Sequence, residues 1–182
     1  MTLLRHLLAI LLLPTLVVIA VPAWLRSAGA ASDSRWPDPS ALFWLPRASA
    51  MLLFAAGLSL FLWCLSLFAR IGRGTLAPWD PTRNLVASGP YRLVRNPMIS
   101  AVALMLLAQA LFWGSWLLAL WATLFVLINH TYFVLSEEPG LERRFGDAYL
   151  AYQAAVPRWL PRLRRRPAQG MIGETSTINE ER

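Results

Sequence analysis

Four long apolar runs, separated by polar and proline-rich stretches, dominate the pattern of this chain. They carry no charge and cover residues 7–25, 48–69, 97–113 and 115–136. Each is close to the roughly 20 residues that a helix needs to cross a bilayer, and the third is the shortest. Four such runs in so short a chain favour membrane helices over the buried helices of a soluble protein. The pattern therefore predicts an all-α integral membrane bundle of about four transmembrane helices.

The third and fourth runs are separated only by Gly114 and Ser115, which predicts a tight helical hairpin. The hairpin would bring the segment before the third run and the segment after the fourth run to the same membrane face. Within the second segment, Glu138-Pro139 favours extended geometry, so we expect the fourth helix to kink or end there.

A C-terminal helix is predicted after this point, interrupted at Gly146 and closed by Pro157 after Ala155. Four apolar and aromatic residues recur along it at helical spacing, as in an amphipathic cytosolic or interfacial helix. These residues are Phe145, Tyr149, Tyr152 and Val156. We expect one membrane domain over residues 1–166, with its core at 85–163, and a disordered cytosolic tail at 167–182.

Composition and charge agree with a membrane protein. The chain has 182 residues, is 57% hydrophobic and carries a net charge of +7. Every basic residue is arginine, which excludes lysine Schiff-base chemistry. The arginines cluster beside the apolar runs, where the positive-inside rule accounts for them without a nucleic-acid partner. They predict a multi-pass protein of a bacterial inner membrane with both termini in the cytoplasm.

The N-terminal run has a second interpretation. Arg5 and His6 precede it, and Ala28-Gly29-Ala30 follows it, as around a secretory signal with a cleavage site. The length of the run, together with Pro14 and Pro22, favours a retained helix.

The first polar motif, Gly89 to Met98, ends in a helix start. Asn96 is a suitable N-cap and Pro97 a suitable first helical residue, so we expect the Asn96 side chain to cap the third helix. The helix N-terminus and the adjacent Arg95 together suit a carboxylate ligand. The other interpretation is that Arg95 anchors the helix at lipid phosphates and that Tyr91 is an interfacial aromatic residue.

The second motif places two acids, Glu137 and Glu138, at the unfavourable end of a helix dipole. Something positive or rich in donors should therefore face at least one of them. A ligand with an amino group and ribose hydroxyls fits this requirement, and so does a structural salt bridge to Arg95 or Arg92. The sequence leaves both interpretations open.

His130 lies seven residues before Glu137, which in a regular α-helix puts both on nearly one face, about 10 Å apart. It is a candidate proton acceptor, or else an interhelical hydrogen-bonding residue. Gln109 and Cys64 are expected to be packing residues. Two histidines and one cysteine offer no metal site, so none is predicted.

Taken together, the two motifs resemble the isoprenylcysteine carboxyl methyltransferase family, whose core is shared by membrane phospholipid N-methyltransferases. The resemblance covers roughly residues 85–163. It rests on Arg-Asn-Pro-Met before a membrane helix and on the Glu-Glu-Pro-x-Leu motif with the Phe-Gly, Tyr, Tyr and Val-Pro-Arg positions that follow. Many relatives have His in place of Asn96 and a Tyr in place of Ile99, so the substrate side departs from the family pattern.

The resemblance implies transfer of a methyl group from S-adenosylmethionine to a lipophilic or lipid-modified substrate at the cytosolic membrane face. The acceptor is a carboxylate, thiol or amine, and membrane lipids are the surrounding partners; the oligomeric state is not indicated. For the transfer itself we expect catalytic roles for Arg95, which would position a carboxylate, and for Glu138 and His130, which with Glu137 are the candidate bases. The cofactor-binding residues that the resemblance implies are Tyr91, Arg95, Asn96, Pro97, Glu137, Glu138, Tyr149 and Tyr152. The alternatives are a non-catalytic membrane scaffold or partner subunit, and a membrane reductase related to sterol reductases.

Overall fold

The computed structural model describes residues 14–30, 33, 41–72 and 85–161. These residues form helices and turns and no strand, so the predicted all-α class is confirmed for this part of the chain. The start of the first apolar run, the arginines after residue 161 and the predicted tail at 167–182 lie outside the described residues.

Six helices follow one another along the described chain. They are α1 (Leu16–Gly29), α2 (Ala41–Leu67), α3 (Pro97–Trp113), α4 (Trp116–Tyr132), α5 (Glu138–Phe145) and α6 (Asp147–Ala155). A π turn, Phe133–Glu137, joins α4 to α5 without interruption. Two continuous helices, Trp44–Ile71 and Trp116–Phe145, are long and apolar enough to cross a membrane. Helices α1 and α3 are apolar but shorter, so the count of four spans stays a prediction.

The hairpin between α3 and α4 is confirmed. Gly114 adopts a left-handed conformation (φ 62°) that ends α3, a geometry which glycine accepts without steric cost. Ser115 then caps α4, and its hydroxyl accepts the Leu118 N–H. The Asp33 carboxylate also binds this turn, because it accepts hydrogen bonds from the Ser115 hydroxyl and the Leu117 N–H.

Close packing of α2 against α3 forms the centre of the bundle. At Gly57 a Cβ atom would lie 2.9 Å from the Ala101 carbonyl oxygen and 3.0 Å from Met105 Cγ, so only glycine allows this approach. The surrounding core is apolar and almost fully buried. Its members are Val18, Phe61, Ala101, Val102, Met105, Leu106, Ala122 and Phe125.

Helix α1 docks on this core through two carbonyls that a proline leaves without their usual donor. Pro22 has no N–H for the carbonyl four residues before it, nor for the one five residues before it in a π turn. Gln109 of α3 donates to Val18 O at 2.9 Å, and Trp121 of α4 donates to Val17 O at 3.1 Å. The expectation that Gln109 is a packing residue is thereby confirmed.

The fourth helix does not end at Pro139. It continues as α5, because the π turn before it has hydrogen bonds that reach one residue further and accommodates the missing proline N–H. The break at Gly146 and the end of α6 at Ala155 are both confirmed.

Candidate functional site

A cavity of about 770 Å³ lies between the helices and is lined in part by residues of both polar motifs. This volume is within the roughly 300–1,000 Å³ typical of small-molecule sites. Polar side chains line one end of the cavity and apolar ones the other. The polar end has Tyr91, Arg95, Asn96, Ser136, Glu137, Arg143, Arg144, Tyr149 and Tyr152, and the apolar end has Pro14, Val17, Phe61, Val102, Trp121 and Phe125.

Tyr91 is positioned by the short 3₁₀ turn Gly89–Arg92. Gly89 has φ 58° and lies so close to Trp63 and Leu67 of α2 that a side chain there would clash with Leu67. Tyr152 of α6 donates its hydroxyl to the Tyr91 carbonyl at 2.7 Å, which joins the C-terminal helix to the first motif. Burial raises the pKa of both tyrosines above the ordinary value.

The segment Arg95–Pro97 connects the 3₁₀ turn Gly89–Arg92 to the start of α3. The Arg95 N–H donates to the Pro157 carbonyl at 2.9 Å, so the end of the chain's second motif lies against the first. Asn96 and Pro97 begin α3 as predicted, but the expected side-chain cap is wrong: Asn96 makes no capping hydrogen bond. Its side chain lines the cavity instead, whereas Pro97 is fully buried behind the wall.

Glu138 is the centre of a buried ionic network. Its carboxylate accepts from Arg95 Nη1 at 2.7 Å and from Arg158 Nε and Nη2, each at 2.9 Å. Gln153 Nε2 adds a longer contact at 3.4 Å. The bidentate bond to Glu138 raises the pKa of the Arg158 guanidinium. Glu138 does not line the cavity, so it contacts the site through Arg95.

Glu137, the adjacent acid, has the opposite environment. It is exposed and lines the polar end of the cavity, where Arg143 and Arg144 of α5 also lie. The two neighbouring carboxylates therefore differ: Glu138 is buried among its partners, and Glu137 lines the cavity. The sequence alone did not distinguish them.

Two buried polar atoms beside the cavity have no hydrogen-bond partner in the described structure, Arg95 Nε and the Tyr149 hydroxyl. Tyr149 is only 1% exposed, and burial raises the pKa of its phenol. Both atoms have almost no exposed surface, and both belong to residues that line the cavity. Both residues were predicted from the sequence, and the fold brings them to the same wall.

His130 is placed outside the cavity lining. Its Nδ1 accepts a hydrogen bond from Trp159 Nε1 at 3.0 Å. The spacing argument assumed a regular α-helix, but the π turn Phe133–Glu137 changes the rotation per residue between His130 and Glu137. His130 holds the C-terminal segment against α4, while Glu137 faces the cavity.

Sequence reasoning offered Arg95 as a partner of Glu138, which the structure confirms, but it missed two other partners. Arg158 and Gln153 come from the segment that includes and follows α6, and only the three-dimensional fold shows their convergence. The unfavourable position of the acids at a helix end predicted a positive or donor-rich partner, but not which residues supply it. Within the described ranges, no three His, Cys, Asp or Glu side chains form a possible metal site.

A helical bundle with two helices of membrane-spanning character, and a cavity that is polar at one end and apolar at the other, defines a membrane-associated protein with a small-molecule site. The phospholipid methyltransferase family matches residues 45–148, more than half of the chain. This chain belongs to that family of membrane methyltransferases, to which the isoprenylcysteine carboxyl methyltransferases are related.

One curated relative is an uncharacterized protein of Haemophilus influenzae. It is 38% identical to this chain over 63 residues, which are 35% of this chain and 100% of the relative. No solved structure gives a significant match.

Proposed function

We propose that this protein transfers a methyl group from S-adenosylmethionine to a lipophilic membrane substrate at the cavity. The observation that carries the proposal is a cavity whose polar end combines the cation Arg95, the phenol of Tyr149 and the acid Glu137, while its other end is apolar. Family membership supports a methyltransferase in general. The proposal adds the identity of the methyl donor and the class of the methyl acceptor.

The polar end of the cavity fits the amino-acid portion of the cofactor. A carboxylate would accept from Arg95 Nε and the Tyr149 hydroxyl, and an ammonium group would pair with Glu137. Asn96 offers both a donor and an acceptor in the same wall, and Tyr91 and Tyr152 supply aromatic surface. S-adenosylmethionine, when bound, supplies an electrophilic methyl group on a sulfonium sulfur.

The protein's own contribution to the reaction is alignment and exclusion of water. Glu138 and Arg158 fix the Arg95 guanidinium, so Arg95 is held ready rather than ordered on binding. A carboxylate acceptor needs no base. A thiol or amine acceptor must lose a proton, and Glu137 is the acid in the cavity wall with a lone pair available for it.

The proposal includes a multi-pass location in a bacterial inner membrane, with both termini and the polar end of the cavity on the cytoplasmic side. The arginine-rich segments on either side of the α3–α4 hairpin support this orientation. A lipophilic acceptor would then reach the apolar end from the bilayer, while the cofactor enters from the cytosol.

The direct test incubates purified protein with a lipid extract and methyl-labelled S-adenosylmethionine, followed by mass spectrometry. We expect label in one lipophilic species, greatly reduced with Glu137→Gln. Glu142→Gln is the matched control, because Glu142 is an exposed acid of α5 outside the cavity lining. Absence of label in every extract tested, from protein that binds the cofactor, would contradict transfer to a lipophilic acceptor.

One observation favours a second candidate, a non-catalytic scaffold or partner subunit. Glu138 is fully engaged by Arg95 and Arg158, as in a bridge that only holds helices together. A scaffold has no need of the unpaired Tyr149 hydroxyl, however. The candidates separate in binding experiments: a scaffold would have no affinity for S-adenosylmethionine.

A further inference from the structure

The apolar end of the cavity has a defined floor. Along the continuous helix Trp116–Phe145, residues from Glu137 back through Phe133, Ile128 and Phe125 to Trp121 line the cavity. Trp121 and Glu137 are sixteen positions apart, which corresponds to roughly 24 Å along the helix axis. Among the described residues of α4, Trp121 is the lining residue farthest from the polar end.

Trp121 is held in place by a hydrogen bond to a backbone carbonyl of α1. Its indole N–H donates to the Val17 carbonyl, the acceptor that Pro22 leaves without a backbone donor. Val17 is half-buried, so breaking this bond would cost part of the contact between α1 and α4. The hydrogen bond therefore restrains the orientation of the indole in the cavity wall.

Trp121 packs against the buried core of the bundle. Leu118, three residues before Trp121 and farther from the polar end along α4, is only 1% exposed. The lining changes from charged to apolar along the cavity, which suits a ligand with a polar head and an unbranched apolar chain. The chain would end against the Trp121 indole.

We propose that Trp121 is a specificity-determining residue, the floor that limits the length of the apolar chain which the site accepts. The inference rests on the lipophilic acceptor of the proposed function and adds a length limit to it. Each buried methylene contributes about fourfold in affinity. Affinity for straight chains should therefore rise by that factor per methylene and stop rising once the chain reaches Trp121.

The experiment titrates a homologous series of straight-chain alkyl carboxylates into amphipol-held protein by calorimetry. For the wild type we expect a break, the chain length at which affinity stops rising. Trp121→Ala should move the break to longer chains, and Trp121→Phe, which keeps a ring, should leave it in place or move it slightly. Trp116→Ala is the control, since Trp116 is exposed and outside the lining.

A substitution in the opposite direction keeps the test decisive if Trp121→Ala does not fold. Val17→Phe adds volume at the same end without changing the Val17 carbonyl, and it should move the break to shorter chains. An unchanged break in both Trp121→Ala and Val17→Phe, or steadily rising affinity in the wild type, would overturn the proposal.

The same preparations are titrated with S-adenosylmethionine. If the chain length at the break shifts as expected but the protein does not bind S-adenosylmethionine, the proposed methyl transfer is overturned and the role of Trp121 stands. Cofactor binding together with an unmoved break would overturn the floor alone.

Discussion

The Tyr149 hydroxyl is buried and unpaired, and it should contribute to binding rather than to stability. Removing an unsatisfied buried group does not cost folding energy, because such a group is itself unfavourable by about 1–3 kcal/mol. We expect Tyr149→Phe to leave the free energy of unfolding unchanged or raised. Its affinity for S-adenosylmethionine should fall by about 10- to 100-fold, the value of a hydrogen bond to a charged group.

Tyr152 provides the matched control, because its hydroxyl has a partner in the protein, the Tyr91 carbonyl at 2.7 Å. Tyr152→Phe should lower the free energy of unfolding by about 1 kcal/mol. Chemical denaturation of both variants measures the two changes. Equal losses of stability in the two variants would contradict the assignment of Tyr149 to the ligand.

Substitution of the adjacent acids Glu137 and Glu138 should have different effects on the free energy of unfolding. Removing one partner of a buried ionic network leaves the other charges uncompensated, so Glu138→Gln should lower the free energy of unfolding by about 3 kcal/mol. Glu137→Gln should leave it within about 0.5 kcal/mol, as is usual for exposed sites. Denaturant titration decides between them, and a larger loss for Glu137→Gln would show that the two roles are reversed.

At the scale of elements, the junction of α5 and α6 depends on one glycine. Gly146 has φ 51° and ψ −130°, a conformation that other residues reach only with strain of about 1–3 kcal/mol. No heavy atom lies within 4 Å of a Cβ added there, so the cost is conformational and not steric. We expect Gly146→Ala to lower the free energy of unfolding by that amount.

Gly140 of α5 is the control for this substitution. It also has open space around it but is helical, and alanine is favoured over glycine in a helix by about 1 kcal/mol. Thermal unfolding should therefore show Gly140→Ala stabilised and Gly146→Ala destabilised. Stabilisation by both substitutions would mean that the bend at Gly146 is not required.

The elements themselves were largely predictable from the sequence. Apolar runs and the Gly114-Ser115 pair carry local information, so the helices, the hairpin and the break at Gly146 all follow from them. The π turn before Pro139 did not follow, since it depends on tertiary packing that overrides the local preference of a Glu-Pro pair. Of the two roles that the sequence left open for His130, the structure shows the hydrogen-bonding one, because its ring accepts from Trp159 and lies outside the cavity lining.

The site was predictable only as a set of residues. Six of the eight residues expected to bind a cofactor line the cavity, among them Arg95, Asn96 and Glu137, whereas Pro97 and Glu138 lie behind its wall. Their roles in binding stay a prediction. Which acid faces a ligand depends on the partners that the fold supplies. Arg158 is twenty residues beyond Glu138, and no local pattern fixes that pairing.

For the whole molecule, a pH titration should report how deeply the tyrosines around the cavity are buried. The chain has four tyrosines, and burial raises the pKa of Tyr91, Tyr149 and Tyr152 above the ordinary value of 10.0. Ultraviolet titration of the folded protein should therefore show these three phenols ionising late. In denaturant they should ionise near the ordinary value.

The sign of the linked stability change follows from these shifts. Below pH 10.0 the three phenols are protonated in both states and contribute no pH dependence. Above it the unfolded chain loses protons first, so the free energy of unfolding falls as pH rises. A stability that is flat through the alkaline range would contradict burial of these rings.

The central claim concerns the whole molecule, namely that its cavity is a site for S-adenosylmethionine. Isothermal titration of the purified protein with this compound tests it without knowledge of the acceptor. We predict saturable one-site binding by the wild type and by Glu142→Gln, with affinity at least tenfold weaker for Glu137→Gln. No measurable binding by folded wild-type protein, or equal affinity in all three proteins, would contradict the account.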